Sequence, residues 1–527
     1  MSDVPASEQP SPEPVAARPR PPRPARPPLP PVARSGDVPW LPQVLLLGGT
    51  VLVMMHLFFG RTDFELRDRV LAMIPLFPLL WEIHRFHKVP RGSQLPFAAY
   101  ALLINYITFS WPALFNTVFI DLSGPVTFSD DARFQGTAAV ALSSVIIYAG
   151  ILLGELMGRA LRPWLLRVSP PAEVPATYPH AVGLYALGCV VATQSVTLGS
   201  HYPAAVSVLI TMSFSITFVI GATLAKPSMF RGPWSRYLVG ALVTIGILSG
   251  LLRGVLEPLF RLTTTLIAVR WAHIRRFSFA AVVVMMGLYT ILQPAKAQFR
   301  AQTWVIRGDQ QAAGYTDRVT AWTTAISDIW TGRDAGQSTG DAAVNRFLEL
   351  DPVLHAFTML PGRVRPANGE AWMHILYSPI PRLVWPDKPN SNDLSLNYGV
   401  AFRLQSELGA RSTTILMPLI VDGYWNFGWP GIVFVSLLAG LWVGVCQTLY
   451  TGDHWALTAS AVAQFSLISV TGSFALLYAG ITQQLLGPII ASWMIYWFMR
   501  LLKVREVNRG RAIVPRSRAA PRRLTGN

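Results

Sequence analysis

Apolar runs of about twenty residues, the length a helix needs to cross a bilayer, recur along this chain. They fall at 40–60, 70–83, 96–118, 136–158, 181–198, 203–225, 238–252, 255–269, 277–294, 429–449, 455–475 and 479–499. The pattern predicts an all-α polytopic membrane protein with about 12 transmembrane helices. Runs 70–83 and 255–269 are the weakest, being short or carrying a charge such as Arg261. With 51% hydrophobic and only 14% charged residues among 527, the composition excludes an ordinary soluble protein. Cys189 and Cys446 both lie inside apolar runs, so neither a disulfide framework nor a cysteine metal site can be read from them.

Residues 1–39 form a separate region, with thirteen prolines and five arginines against four acids. Such a segment cannot bury enough apolar surface to fold and is expected to be disordered, with polyproline II character. A solvated tail is favoured over docking of Pro21 to Pro31 in an aromatic groove. The run that starts near Trp40 lacks a small-residue cleavage site and reads as a retained span.

Lysine and arginine set the expected orientation. Arg85, Lys88 and Arg91 share one connection; Arg159, Arg162 and Arg167 share the next alternate one. Lys226, Arg231 and Arg236, then Arg270, Arg275 and Arg276, follow in the same phase, and the tail 500–527 is strongly basic. The positive-inside rule makes all of these, and both termini, cytoplasmic. The net charge of +16 is then mostly a cytoplasmic face against anionic lipid, and no nucleic acid is needed to explain it. Spans 40–294 and 429–499 leave 295–428, with twelve basic and twelve acidic residues, as one large extracytoplasmic loop. A connection of that length in a compact membrane protein is usually functional.

Inside the loop, Asp351 and Pro352 read as the cap and first residue of a helix running to Leu360, with Val344, Phe347 and Leu348 at helical spacing before it and Arg346 between them. The stretch 370–385 is too short and too broken by proline to span, so a re-entrant or interfacial helix is expected. Pro379 and Pro381 would interrupt it and deliver Arg382 to Lys388 near the outer membrane surface.

"IPRLVWPDKP" (Ile380 to Pro389), followed about thirty residues later by "DGYWNFGWPGIVF" (Asp422 to Phe434), resembles the paired signature of the O-antigen polymerase family, the oligosaccharide repeat unit polymerases. "NRFLELD" (Asn345 to Asp351) is similar to another segment of that family, and the likeness covers roughly 340–450. The chain has Asp422 and Gly423 where the family commonly has a glutamate. The resemblance implies a GT-C-like fold and transfer of a growing glycan from undecaprenyl diphosphate onto the next lipid-linked repeat unit, outside the bacterial inner membrane. Its partners would be those glycan substrates and membrane lipid, with a chain-length regulator as a further candidate and no cofactor.

The loop's chemistry agrees with that expectation. A departing diphosphate needs cations, and guanidinium forks fit phosphate oxygens, which makes Arg346, Arg363, Arg365, Arg382 and Arg403 candidates, with Lys388 as a point charge. Asp387 and Asp422, and more distantly Glu370, are candidates to take the acceptor hydroxyl's proton. Trp385, Trp372, Tyr424, Trp425 and Trp429 are candidates to stack on sugar rings, although aromatics are expected at a membrane interface in any case; Asn426 completes the candidate binding set. His355 and His374 have no second ligand at metal spacing, and no metal site is expected. Asp63 with Glu65, and the charges Arg253, Glu257 and Arg261, are weaker alternatives, the last group reading equally as an internal ion pair. An O-antigen ligase shares the many-helix layout and large loop. A transporter of lipid-linked sugars is the reading from another class, but no inverted repeat is visible and the arginines concentrate in one loop.

Overall fold

The computed structural model describes residues 64–115, 128–197, 216–225, 234–275, 277–303, 314–331, 349–360, 362–373, 398–404, 417–450, 454–466 and 487–503, with Ile380, Trp385 and Ser406. These are helices and their connections, with no strand among them. The proline-rich tail, the predicted span 40–60 and the basic tail beyond residue 503 lie outside the described residues.

Among the described residues, three helices are long and apolar enough to cross a bilayer: Phe97–Leu114, Asp130–Val168 and Leu419–Leu449. Shorter apolar helices cover Tyr178–Val191, Ile216–Ala225, Arg236–Leu252 and Ala280–Lys296. In chain order the elements are α1 (Leu66–Met73), α2 (Leu76–Lys88), α3 (Phe97–Asn105) and α4 (Asp130–Val168). Then come α5 (Tyr178–Thr197), α6 (Ile216–Ala225), α7 (Trp234–Leu252), α8 (Glu257–Ile274), α9 (Phe279–Thr303) and α10 (Tyr315–Trp330). The series ends with α11 (Leu350–Met359), α12 (Leu419–Leu449), α13 (Trp455–Phe465) and α14 (487–503).

Three expectations need correction. The run 70–83 is divided between α1 and α2, because Pro75 and Pro78 each remove a backbone donor and α2 restarts on a Pro75 cap. The loop 295–428 begins as the end of α9 and holds α10, packed back on α9 by Phe299 stacked on Trp322 with ring centroids 4.7 Å apart. The loop helix α11 starts at Leu350 after a Glu349 cap, two residues earlier than an Asp351 cap would give. Tertiary contact decides that start. α3 continues through a π-helical turn, Tyr106–Ser110, whose widened ladder leaves the Thr108 carbonyl to accept from the Glu349 N–H at 2.9 Å.

The centre of the molecule is the α4–α12 pair. Without a hydrophobic drive between helices in lipid, close backbone approach depends on small residues, and Gly150, Gly154 and Gly158 recur every fourth residue on α4 opposite Gly440 and Gly444 on α12. A Cβ on Gly150 would lie 2.6 Å from the Leu437 carbonyl oxygen, and one on Gly440 or Gly444 would collide with the α4 backbone. The Ser143 and Ser436 hydroxyls bond across the pair at 2.8 Å. Gly440→Leu is therefore expected to lower stability by about 3 kcal/mol, the top of the usual overpacking range, since backbone cannot move aside as a rotamer can. Gly240→Leu, at a position with nothing within 4 Å, should be near neutral. Thermal unfolding of the two variants in detergent separates them.

One end of the pair is pinned by charge. Arg85 of α2 forks onto the Glu155 carboxylate of α4, with one arm at 3.0 Å, while its Nε meets Glu82 at 2.9 Å. Gln447 of α12 donates to Glu155 at 2.7 Å and accepts from the Ala98 N–H of α3 at 2.9 Å. Four helices thus meet at one buried carboxylate.

Candidate functional site

The other end of the pair carries a sharp break in α12. Phe427 (φ −142°, ψ 18°) and Gly428 (φ 63°, ψ −147°) leave helical geometry, and Gly428 needs a left-handed φ that glycine adopts without strain. Pro430 then sits at the start of the second segment, where its missing N–H costs nothing. Residues eight apart in a straight helix are separated by about 12 Å. Here Gly423 is packed on Gly431 so closely that a Cβ on Gly423 would lie 2.7 Å from the Gly431 carbonyl. The short segment 419–426 is folded back against the long one.

That short segment organises the predicted site residues. The Trp425 indole donates to the Arg365 carbonyl at 3.0 Å, and the Ala367 N–H donates to the Trp425 carbonyl at 2.9 Å. These two bonds clamp 365–367 to the helix. The chain then turns through Asn368 (φ 49°) and Gly369 (φ 85°) into a 3-10 turn, Glu370–Trp372. Trp372 ends up donating its indole N–H to the Asp422 carboxylate at 3.2 Å. Asn426 donates to the same carboxylate oxygen at 3.0 Å and to the Asp422 carbonyl at 2.8 Å. Asp422 is fully buried, and Asn426 is 1% exposed with its own Oδ1 buried and without a hydrogen-bond partner.

A third strand of chain arrives from residues 398–404. His355 of α11 donates from Nε2 to the Phe402 carbonyl at 2.9 Å, and the Phe402 ring meets Trp425 edge-on at 5.5 Å. Arg403 follows in a left-handed turn (φ 57°), closed by the Leu404 N–H donating to the Gly399 carbonyl at 2.8 Å. Arg363, Arg365 and Arg403 are all exposed around this framework.

The structure therefore brings the Arg365 backbone and the 398–404 turn that carries Arg403 against Trp425, whose helical segment also holds Asp422, Tyr424 and Asn426, with Arg363 close by in sequence. Trp385 is exposed; Arg346, Arg382, Asp387 and Lys388 lie outside the described residues. Glu370 is exposed in the 3-10 turn. Among the weaker alternatives, Arg261 pairs with Glu257 one turn away at 3.1 Å, and Glu65 pairs with Arg67 at 2.8 Å. Sequence reasoning missed Trp372 and His355 as organisers: an indole bond to a carboxylate fifty positions away leaves no local pattern, and one histidine without a metal partner gives no spacing signal.

A cavity of about 790 Å³ reaches this site. One wall is a single face of α12 from Phe434 through Leu438, Leu441, Trp442 and Val445 to Leu449, and the opposite walls come from the second half of α4 and from α13 and α14. Its lining is almost wholly apolar. Gly369 and Trp372 close the end near Asp422, so the carboxylate stands one indole ring away from the cavity.

Among the described residues the fold is all-helical, with bilayer-length helices, a kinked helix carrying a buried carboxylate, and an apolar groove that ends beside it. The chain belongs to the family described as Domain of unknown function (DUF8712), whose model matches residues 177–451, from the start of α5 to the end of α12. No curated protein and no solved structure matches it.

Proposed function

We propose that this protein is a GT-C-like membrane glycosyltransferase that polymerises undecaprenyl-diphosphate-linked oligosaccharide repeat units into a bacterial surface polysaccharide. It would lie in the inner membrane as a multi-pass protein of about 12 spans, with both termini cytoplasmic and the α12 kink facing outward. The observation that carries the reading is the apolar groove ending at the Trp372–Asp422 bond. Fifteen residues separate Phe434 from Leu449 along it, about 22 Å of helix, which suits a prenyl chain lying across much of a bilayer roughly 30 Å thick.

In this reading the acceptor hydroxyl oxygen attacks the anomeric carbon of the growing chain. The bond from that carbon to the diphosphate oxygen breaks, and the oxygen leaves with the electron pair. Arg365 and Arg403 offset its charge, each as a planar fork suited to phosphate. Asp422 takes the acceptor proton once the Trp372 indole swings aside and uncovers the carboxylate. The glycine-to-backbone packing of α4 on α12 suits a fixed site better than the rocking halves of a transporter.

The test is the profile of carrier-linked glycan and surface polysaccharide in cells lacking the chain and complemented with wild type, Leu438→Trp or Arg365→Ala/Arg403→Ala, with membrane levels checked. Leu438→Trp fills the groove; both variants are expected to lose long chains and accumulate single repeat units outside. Long chains that persist on the carrier without final attachment would indicate a ligase, and repeats trapped at the cytoplasmic face a transporter.

A further inference from the structure

We propose that Trp429 and Tyr424, together with Asp131 and Gln135 at the start of α4, form a subsite for one pyranose ring, neutral or amino but not a uronate. The proposal rests on the polymerase reading for its context and adds Asp131 and Gln135, which neither the loop nor its signature contains, to Tyr424 and Trp429.

The platform follows from how α11 sits on α4. Gly136 lets α11 approach so closely that a Cβ there would be 2.5 Å from the Leu354 side chain. Phe357, one turn further along α11, then lies against the two ends of the α12 kink. The Tyr424 ring packs on it at a centroid distance of 4.1 Å and an angle of 30°, and the Trp429 ring lies 5.6 Å away. Tyr424 and Trp429 stand at 76° to each other, 6.3 Å apart, and make a two-sided corner. Phe357 is 8% exposed and serves as the backing, whereas Trp429 keeps 36% of its surface open.

Polar groups stand on the turn of α4 just before Gly136, the position where α11 packs on it. Asp131 is exposed in the first turn of α4 and lies within electrostatic reach of the Tyr424 hydroxyl. Gln135, one turn on, donates to the Asp131 carboxylate at 2.7 Å, which fixes both side chains. A pyranose presents an apolar C–H face and a ring of hydroxyl donors and acceptors. An indole face matches the first, and a carboxylate with an amide beside it matches the second. An aromatic belt that only marks the membrane interface needs neither nested rings nor an oriented acid–amide pair. Asp130 is paired with Arg133 at 3.5 Å, so the charge left at the edge is that of Asp131, whose carboxylate would repel a sugar carboxylate.

Saturation-transfer NMR on the full chain in nanodiscs tests this, with methyl glycosides of glucose, galactose, mannose, N-acetylglucosamine and glucuronic acid as probes. At least one neutral or N-acetylated glycoside should receive saturation on its C–H face, and the glucuronide none. Trp429→Ala should reduce the signal about ten-fold and Trp429→Phe should retain most of it. Asp131→Lys, at an exposed position in the first turn of α4, should admit the glucuronide at an unchanged unfolding midpoint. The proposal is overturned when no neutral glycoside gives a signal, when the signal survives Trp429→Ala, or when Asp131→Lys leaves the glucuronide excluded. The readout needs no catalysis: saturation transfer without chain growth refutes the polymerase reading alone, and chain growth without saturation transfer refutes the subsite alone.

Discussion

Arg85→Leu is expected to destabilise the fold by about 3 kcal/mol, the lower end of what breaking a buried ion pair costs. The lower end applies because the guanidinium keeps 29% of its surface exposed, so some of its attraction is already screened. The carboxylates are the reason for the loss: Glu155 and Glu82 have side chains only 7% and 3% exposed, and Arg85 touches both. Without it, Glu155 keeps Gln447 at 2.7 Å and the exposed Arg159 at 3.4 Å, but two like charges are left close together under α2. Removing all three charges, in Arg85→Leu/Glu82→Leu/Glu155→Leu, should restore most of the stability, because an uncompensated buried charge and not a missing contact causes the cost. Thermal unfolding in detergent reads both variants. An Arg85→Leu loss below about 1 kcal/mol would mean the cluster is solvated and does not hold the four helices.

The largest effect on activity is expected at Asp422. Asp422→Asn keeps the shape and an acceptor for the Trp372 indole, so the fold should survive, but an amide cannot take up a proton. General-base catalysis is worth about 10²–10⁴-fold, and the transfer rate should fall by that factor with little change in apparent substrate affinity. Trp372→Phe is the informative companion. It removes the indole donor but keeps a ring at the end of the groove, and a modest change there would show that the indole is a movable cover. A rate loss as large as that of Asp422→Asn would instead make the pair a structural unit.

Among the described residues, helices were legible where apolar length alone decides, as with Phe97–Leu114 or the core of α4. They were misjudged where a second influence enters. Pro75 divided a run that hydropathy joined, and the Thr108 carbonyl, freed by a π-helical turn in another helix, moved the start of α11 to Leu350. Gly150, Gly154 and Gly158 stand at a visible interval, but their meaning depends on Gly440 and Gly444 nearly three hundred residues away. The arrangement of the candidate site was half legible for the same reason. Tyr424, Asn426 and Asp422 lie within five positions and share one segment, whereas their supports, Trp372, Arg365 and the 398–404 turn, are joined to it only by tertiary bonds.

The most direct test of the account is chain growth by the purified protein, in liposomes supplied with a polyprenyl-diphosphate-linked repeat unit from the same cells. The wild type is predicted to build a ladder of carrier-linked oligomers and release polyprenyl diphosphate, while Asp422→Asn, at an unchanged unfolding midpoint, builds none on the same timescale. Repeat units that stay monomeric with folded wild-type protein, or a ladder that Asp422→Asn builds equally well, would contradict it.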